Sequence, residues 1–240
     1  MKKIIGTITA FLLAFSFMCS NNASASTIDI DTRVEQEYNQ NGSKLKEIVI
    51  YEYDENGTVL DKKVITDEKE IKDQLRKEII NNEKQIKQQN KDIINQTKEQ
   101  SFENYNSNES VSPMAWGDLR VIKGWTGSYS SHLKNTSGGP GGTVNASVNQ
   151  SFSTTLSSTT TVSSSIISRA IGVTVQSSIS VSEGYSHEIP SGKYGYISTY
   201  INYSTIYFDI EKEGLFGGWS NVGEGSYTYA TGATFRYYDS

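Results

Sequence analysis

The sequence predicts a mainly β protein: an elongated antiparallel sheet with one long amphipathic hairpin, preceded by a small α+β hairpin-helix region. Three observations lead there. Residues 143 to 189 alternate polar and apolar with period 2, Gly-bounded aromatic runs follow them to the C-terminus, and charge is concentrated earlier in the chain. Residues 26 to 112 hold 13 Lys/Arg and 19 Asp/Glu, whereas residues 113 to 240 hold only 7 and 8. The expected organisation is a signal peptide at 1–25, a charged β-hairpin plus helix region at 26–100, a linker at 101–112, and a β domain at 113–240 with its central hairpin at 143–189.

The first 25 residues read as a secretory signal: Lys2 and Lys3, an apolar run from Ile4 to Met18, then Ala23-Ser24-Ala25. The expected location is therefore extracellular. Bulky Phe17 and Met18 before Cys19 argue against a lipid anchor, and with Cys19 the only cysteine, the mature chain has no disulfide or thiol chemistry. The net charge of -5 argues against a nucleic-acid partner and gives no pull toward anionic lipid.

In the charged region, Glu47 to Tyr53 alternates and Asn56-Gly57 precedes Thr58-Val59-Leu60 and Lys63-Val64-Ile65. Asn-Gly between two such runs predicts a hairpin with both central residues at positive φ. Tyr51 to Leu60 resembles a single unit of the tyrosine-aspartate repeats of bacterial surface proteins, but with one copy only, a plain hairpin with a good turn is the favoured reading. From Asp67 to about Gln100 there is no Gly or Pro, and Asp67 with Glu70 has capping-box spacing. A helix follows, with a narrow stripe of Ile71, Leu75, Ile79, Ile86 and Ile93, expected to rest lightly on the β domain. The Asn- and Ser-rich linker should be mobile and protease-accessible. This whole region reads either as a shield over the hairpin or as a docking module.

In the central stretch, the even positions from Val144 to Ile166 carry the apolar set, including Val148, Phe152, Leu156 and Val162, while the odd positions from Thr143 to Ser165 are Thr, Asn or Ser. Beyond Ala170 the apolar set is odd: Ile171, Val173, Val175, Ile179, Val181. A phase flip between two such halves is what a turn produces when both apolar faces end on one side. One two-faced hairpin is expected, with Ile166, Ile167, Arg169, Ala170 and Ile171 at its tip. Residues 135 to 182 hold one formal charge, Arg169.

Gly138 to Gly142 is read as the bend that leads into this hairpin. After it, Tyr194 to Ile210 is apolar on both faces and predicts a central strand; Phe216-Gly-Gly-Trp219 and Gly223-Glu-Gly225 read as turns, and Tyr227 to Tyr238 as the last strand. Catalytic signals are scarce. His132 and His187 lie apart, no ligand spacing suits a metal, and no nucleophile has a base at recognisable spacing. Asp118, Glu183, Glu188, Asp209 and Glu224 are the carboxylates that could meet in space. The expectation is a protein that is not an enzyme, with no metal and no cofactor. Trp125, Trp219, Tyr227 and Tyr229 are candidate surface aromatics for sugar or a lipid interface.

Strands that cross lipid alternate in this way, need about 9 to 11 residues per crossing, and must close into a barrel. The Gly-rich approach, the Ser/Thr-rich hairpin with an apolar tip, Ile189-Pro-Ser-Gly-Lys-Tyr-Gly-Tyr-Ile197 and Gly214-Leu-Phe-Gly-Gly218 together resemble the membrane-inserting domain of aerolysin-type β-pore-forming toxins, including the epsilon-toxin and mosquitocidal branch. The resemblance covers about residues 138 to 218. It implies insertion strands at Val144 to Val162 and Ile171 to Tyr185, a homo-oligomer in the active state, and a target membrane or cell-surface receptor as partner. The sequence departs from the family in the polar Gln150, Thr154, Ser158, Thr160 and Ser164 of the lipid-facing row, and in lacking the usual receptor-binding lobe. The alternative is a secreted, non-enzymatic β module that binds carbohydrate, cell wall or protein. An Asp at Val173 or Val175 should separate the two, abolishing perforation with folding intact, or costing stability in a binding module.

Overall fold

The computed structural model describes residues 29–103, 118–214 and 216–240. The expected signal peptide, residues 104 to 112 of the linker, Met114 and Trp116 lie outside the described residues, as does the side chain of Ile93. The elements are α1 (Ile30–Tyr38), β1 (Asn39–Gln40), β2 (Ser43–Tyr53), β3 (Val59–Ile65), α2 (Glu68–Glu103), β4 (Leu119–Gly138), β5 (Thr143–Ser153), β6 (Thr155–Ser158), α3 (Ser164–Ile171), β7 (Ser178–Glu188), β8 (Gly195–Glu213) and β9 (Trp219–Asp239). The fold is mainly β, and every strand pair is antiparallel.

β9 is the spine of the main sheet. One edge is bonded to β8 from Trp219 to Asp239. Its other edge is shared end to end: β2 pairs with Gly232 to Asp239, and β6 with Gly225 to Thr228. β4 lies beyond β8, and β3 beyond β2. At roughly 3.3 Å per residue, β9 runs roughly 65 Å. β8 is central, as its two apolar faces predict. Gly223 to Gly225, read from sequence as a turn, is strand instead. A Cβ on Gly225 would lie 2.5 Å from the Phe208 ring and 2.6 Å from the Ser157 carbonyl, so the glycine admits β6 and Phe208 at close range.

The compositional boundary does not interrupt the sheet, because β2 of the charged region pairs with the last strand of the uncharged region. Of the two Asn-Gly dipeptides, Asn41-Gly42 adopts the tight turn with both residues at positive φ, 53° and 76°. At Asn56-Gly57 only Gly57 is left-handed, φ 82°. There Asp54 accepts the Asn56 and Thr58 amides at 2.9 and 2.8 Å, which selects a wider loop.

Along β9 the faces alternate: Ala233, Phe235 and Tyr237 join a core with β5 and β7, while Arg236 and Tyr238 meet α1 and α2. α2 starts as its capping spacing predicts, the Asp67 carboxylate accepting the Glu70 amide at 3.1 Å. Ile71, Leu75 and Ile79 are buried with Val34, Tyr38, Leu45, Ile48, Ile65 and Tyr238, a firmer seat than the light contact expected. Beyond Ile79 the seat turns polar. Ile86 is 50% exposed, and buried Gln85 donates to the Tyr207 hydroxyl at 3.1 Å. Arg236 is buried, paired with Glu37 at 3.1 Å and with Glu78, and lies over the Tyr200 ring. It pins the spine to both helices.

Candidate functional site

β5 and β7 form a two-stranded sheet of their own, in register from Thr143↔Glu188 to Ser153↔Ser178. The alternation read from sequence holds here. Val144, Ala146, Val148 and Val181 are buried against Val49, Tyr51, Ile197, Ile201, Phe235 and Tyr237, with Phe152 half-buried beside them and Ile179, opposite Phe152, buried as well. The Ser/Thr/Asn row faces outward, with Ser151 and Ser180 hydroxyls 2.7 Å apart. Burial pushes the Tyr53 and Tyr185 phenols well above their ordinary range, reinforced by the charges of Glu183 and Glu47 respectively. Tyr203, desolvated in the same core and beside Tyr129, is pushed up to about 12.

Past Ser153 the single hairpin predicted from sequence ends. The last rung is the Thr154 amide donating to the Ser177 carbonyl at 3.0 Å. β6 then leaves to pair with β9, setting Leu156 opposite Tyr227. Thr159 and Thr160 tie the following bend to β9: the Thr159 amide donates to the Glu224 carbonyl at 3.0 Å, and the Thr160 hydroxyl to the Val222 carbonyl at 2.6 Å. The predicted tip is helix α3 rather than a turn. Ile167 and Ile171 are fully buried against Ile206, Phe208, Ile210 and Tyr227, while Ile166 and Arg169 are exposed and Ala170 is half-buried. Val162, Val173 and Val175 lie in irregular chain, half-buried around the same cluster. The insertion strands expected at 144–162 and 171–185 thus pair with each other only over their inner halves, and the one outer stretch that is strand, Thr155–Ser158, pairs with β9.

A helix of Ser164-Ser-Ile-Ile-Ser-Arg-Ala-Ile171 has little intrinsic support, because Ser and β-branched Ile are poor helix formers and one so short is marginal alone. Burial carries it, each buried Ile contributing about 1.5–3 kcal/mol. Gly172, φ 75°, ends it with its amide on the Ser168 carbonyl at 3.0 Å. Two signals in the sequence mark it: Ile167 and Ile171 share a helical face, and a glycine follows. They were hidden under the stronger period-2 pattern.

The return arm is latched at both sides. The Glu55 carboxylate accepts the Thr174 amide at 3.1 Å, and the Gln176 side chain donates to the Glu55 carbonyl. The Tyr227 hydroxyl accepts the Gln176 amide at 3.2 Å and lies 3.3 Å from the Thr174 carbonyl. Glu55 belongs to the β2–β3 loop, so the charged region touches the arm directly. Sequence reasoning missed this contact because no local pattern links residues so far apart.

Of the candidate surface aromatics, Trp125 is 43% exposed and stacked on Tyr207, and Trp219 is 36% exposed under the Arg120 guanidinium. Tyr227 is buried and Tyr229, stacked on it, is half-buried, so these two build the seat of α3 instead of a surface. Among the five carboxylates, Asp209 and Glu224 are cross-strand neighbours. Glu183 stands opposite Val148, Glu188 opposite Thr143, and the Asp118 backbone carbonyl accepts the Glu213 amide. Among the described residues no group of His, Cys, Asp and Glu converges as a metal site, and no helix is long and apolar enough to cross a membrane. Strands are a separate route.

No family model matches the chain, and no curated protein matches it. Among solved structures it is distantly similar to one from Bacteroides vulgatus named "putative pore-forming toxin", at a TM-score of 0.21 and 7% identity. The match covers 51% of this chain and 54% of that one, so the chain spans about half the length of the structure it matches. A superposition that loose leaves the site to stand on this chain's own geometry.

Proposed function

We propose that the protein is secreted and perforates a target membrane, assembling with copies of itself so that each chain contributes one β-hairpin. One observation carries this reading: the strand alternation of residues 143 to 188 runs through a segment, 154 to 177, that is folded as something other than a hairpin. Continuing the β5–β7 register outward sets Leu156 opposite Val175, Ser158 opposite Val173, Thr160 opposite Ile171 and Val162 opposite Arg169, with the turn at Ser165-Ile166. No slip is needed, and the apolar rows of both arms fall on one face. Each outer arm is then about as long as the 9 to 11 residues of a tilted strand crossing hydrocarbon. Arg169 falls beside the turn, where it reaches water on the far side. The inner half carries Glu183 on its apolar row and suits a stem outside the bilayer. One hairpin leaves both edges unpaired in lipid, so several chains are required to close a barrel.

The test is dye release from liposomes and cells before and after light proteolysis, with an unboiled SDS gel. Val173 and Val175 are half-buried, so Asp there costs stability in either reading and no longer separates them. Leu156 does: it is 41% exposed and lies on the lipid-facing row. Leu156→Asp is expected to leave the melting curve in place and abolish release. A wild-type protein that stays monomeric and releases nothing would overturn the reading.

The binding-module reading has its own support in Trp125, which stacks on Tyr207 beside Asp209 and Ser226 in a hollow of about 210 Å³. Ring faces flanked by polar groups suit a sugar. Glycan binding lost in Trp125→Ala, by a protein that releases no dye, would favour that reading.

A further inference from the structure

The β8–β9 hairpin closes with the Gly214 amide on the Gly218 carbonyl at 2.9 Å and with Gly217 and Gly218 at φ 80° and 90°. At its apex Phe216 is 98% exposed, far more than any other large apolar side chain described. Just behind it Trp219 is 36% exposed, stacked under Arg120 at 4.1 Å, with Arg120 in turn paired to Glu211 at 2.6 Å. An apolar ring at the apex followed by an amphipathic indole among charged groups is the order of a lipid interface, hydrocarbon first and headgroups next.

We propose that this turn is a membrane-docking tip, with Phe216 entering the acyl boundary and Trp219 seated among the headgroups. Three features favour a bilayer over a protein pocket and define its chemistry. Among the described residues of the turn, Phe216 presents its ring almost wholly to solvent beside a tight Gly214–Gly218 closure, an arrangement that penetrates a soft medium. The charges around it nearly cancel, Asp118, Glu211 and Glu213 against Arg120 and Lys212, so the fitting surface is zwitterionic, such as phosphatidylcholine. Finally, the tip stands at the end of the sheet that seats α3: Ile210 on β8 and Leu119 on β4 belong to the cluster around Ile167 and Ile171, only a few residues from the turn. Docking there brings the stowed arm next to the bilayer. This inference rests on the perforation reading for its purpose, but its test does not.

The experiment is co-flotation of the full chain with phosphatidylcholine vesicles, comparing wild type, Phe216→Ser and Leu156→Asp. Phe216→Ser is expected to lower the partition coefficient roughly tenfold, the scale of withdrawing one aromatic ring from water, with an unchanged melting curve because the ring touches little in the folded protein. Phe216→Trp should restore flotation and show blue-shifted emission quenched by brominated lipid. Leu156→Asp should float like wild type while releasing no dye. Equal flotation of Phe216→Ser and wild type, no flotation of wild type, or cell binding that survives Phe216→Ser but disappears when surface proteins are stripped would each overturn the docking tip. Flotation through Phe216 by a wild-type protein that releases no dye would overturn perforation and leave the tip standing.

Discussion

The inner and outer halves of the central stretch share one sequence pattern and have two different structures. In the inner half, Val144 to Phe152 and Val181 to Tyr185 find a facing sheet, and their thin apolar row becomes core. In the outer half the apolar positions are sparser, with Thr154, Ser158 and Thr160 in the same row, and their edge is claimed elsewhere: β6 takes the free edge of β9. A period-2 pattern states which side chains share a face if the chain is extended. Extension itself is decided by the partner available.

Four perturbations bear on that contrast, ordered by their expected effect on stability. Val181→Asp, in the inner half, leaves an unpartnered carboxylate in the core and should cost several kcal/mol; a urea melt that hardly moves would mean the hairpin is not seated on the sheet as described. Alkali should come next. Tyr53, Tyr185 and Tyr203 of the inner core all titrate above their ordinary pKa of 10.0, so their neutral forms are favoured by folding. Their stabilisation is complete below pH 10 and should fall as pH rises toward 12, read by near-UV circular dichroism; a transition that is flat over that window contradicts the burial.

Ile171→Ala removes part of the seat of α3, a loss of about 2–5 kcal/mol if the whole fold depended on it. If the outer arm opens as a separate unit, the effect appears chiefly as faster tryptic cleavage after exposed Arg169, with a small change in the global melt. A large melt shift without faster cleavage would join the two halves into one cooperative unit. The smallest effect belongs to Glu55→Gln, which weakens the charge-assisted acceptor for the Thr174 amide by about 1 kcal/mol. Hydrogen exchange at 172 to 177 should quicken while β5 and β7 stay protected; unchanged exchange would show that the Tyr227 hydroxyl and the Gln176 side chain on the Glu55 carbonyl hold the arm without the carboxylate.

The regular strands and the long helix were legible because each is announced locally: the alternation of Val144 to Phe152, the two apolar faces of β8, the Asp67 cap. What was missed depends on contacts distant in sequence. The 223 to 225 turn fails because its glycines serve remote neighbours, Gly225 admitting Phe208 and Ser157 and Gly223 admitting Thr159 and Thr160. Tyr227 reads as a possible surface ring, yet it is the floor under α3 and the clasp of the arm. Phe216 was legible only as part of a turn, since its exposure follows from how little of the described chain packs against it.

By itself the sequence determined that residues 143 to 188 can form a two-faced strand pair, nearly free of charge, because side-chain direction along an extended chain follows from covalent geometry alone. Only the tertiary structure decided that the outer half is stowed as β6, α3 and a latched arm. The backbone of that half gains the edge of β9, its isoleucines gain a cluster no local pattern could supply, and these gains outweigh a hairpin whose apolar face would otherwise stand in water.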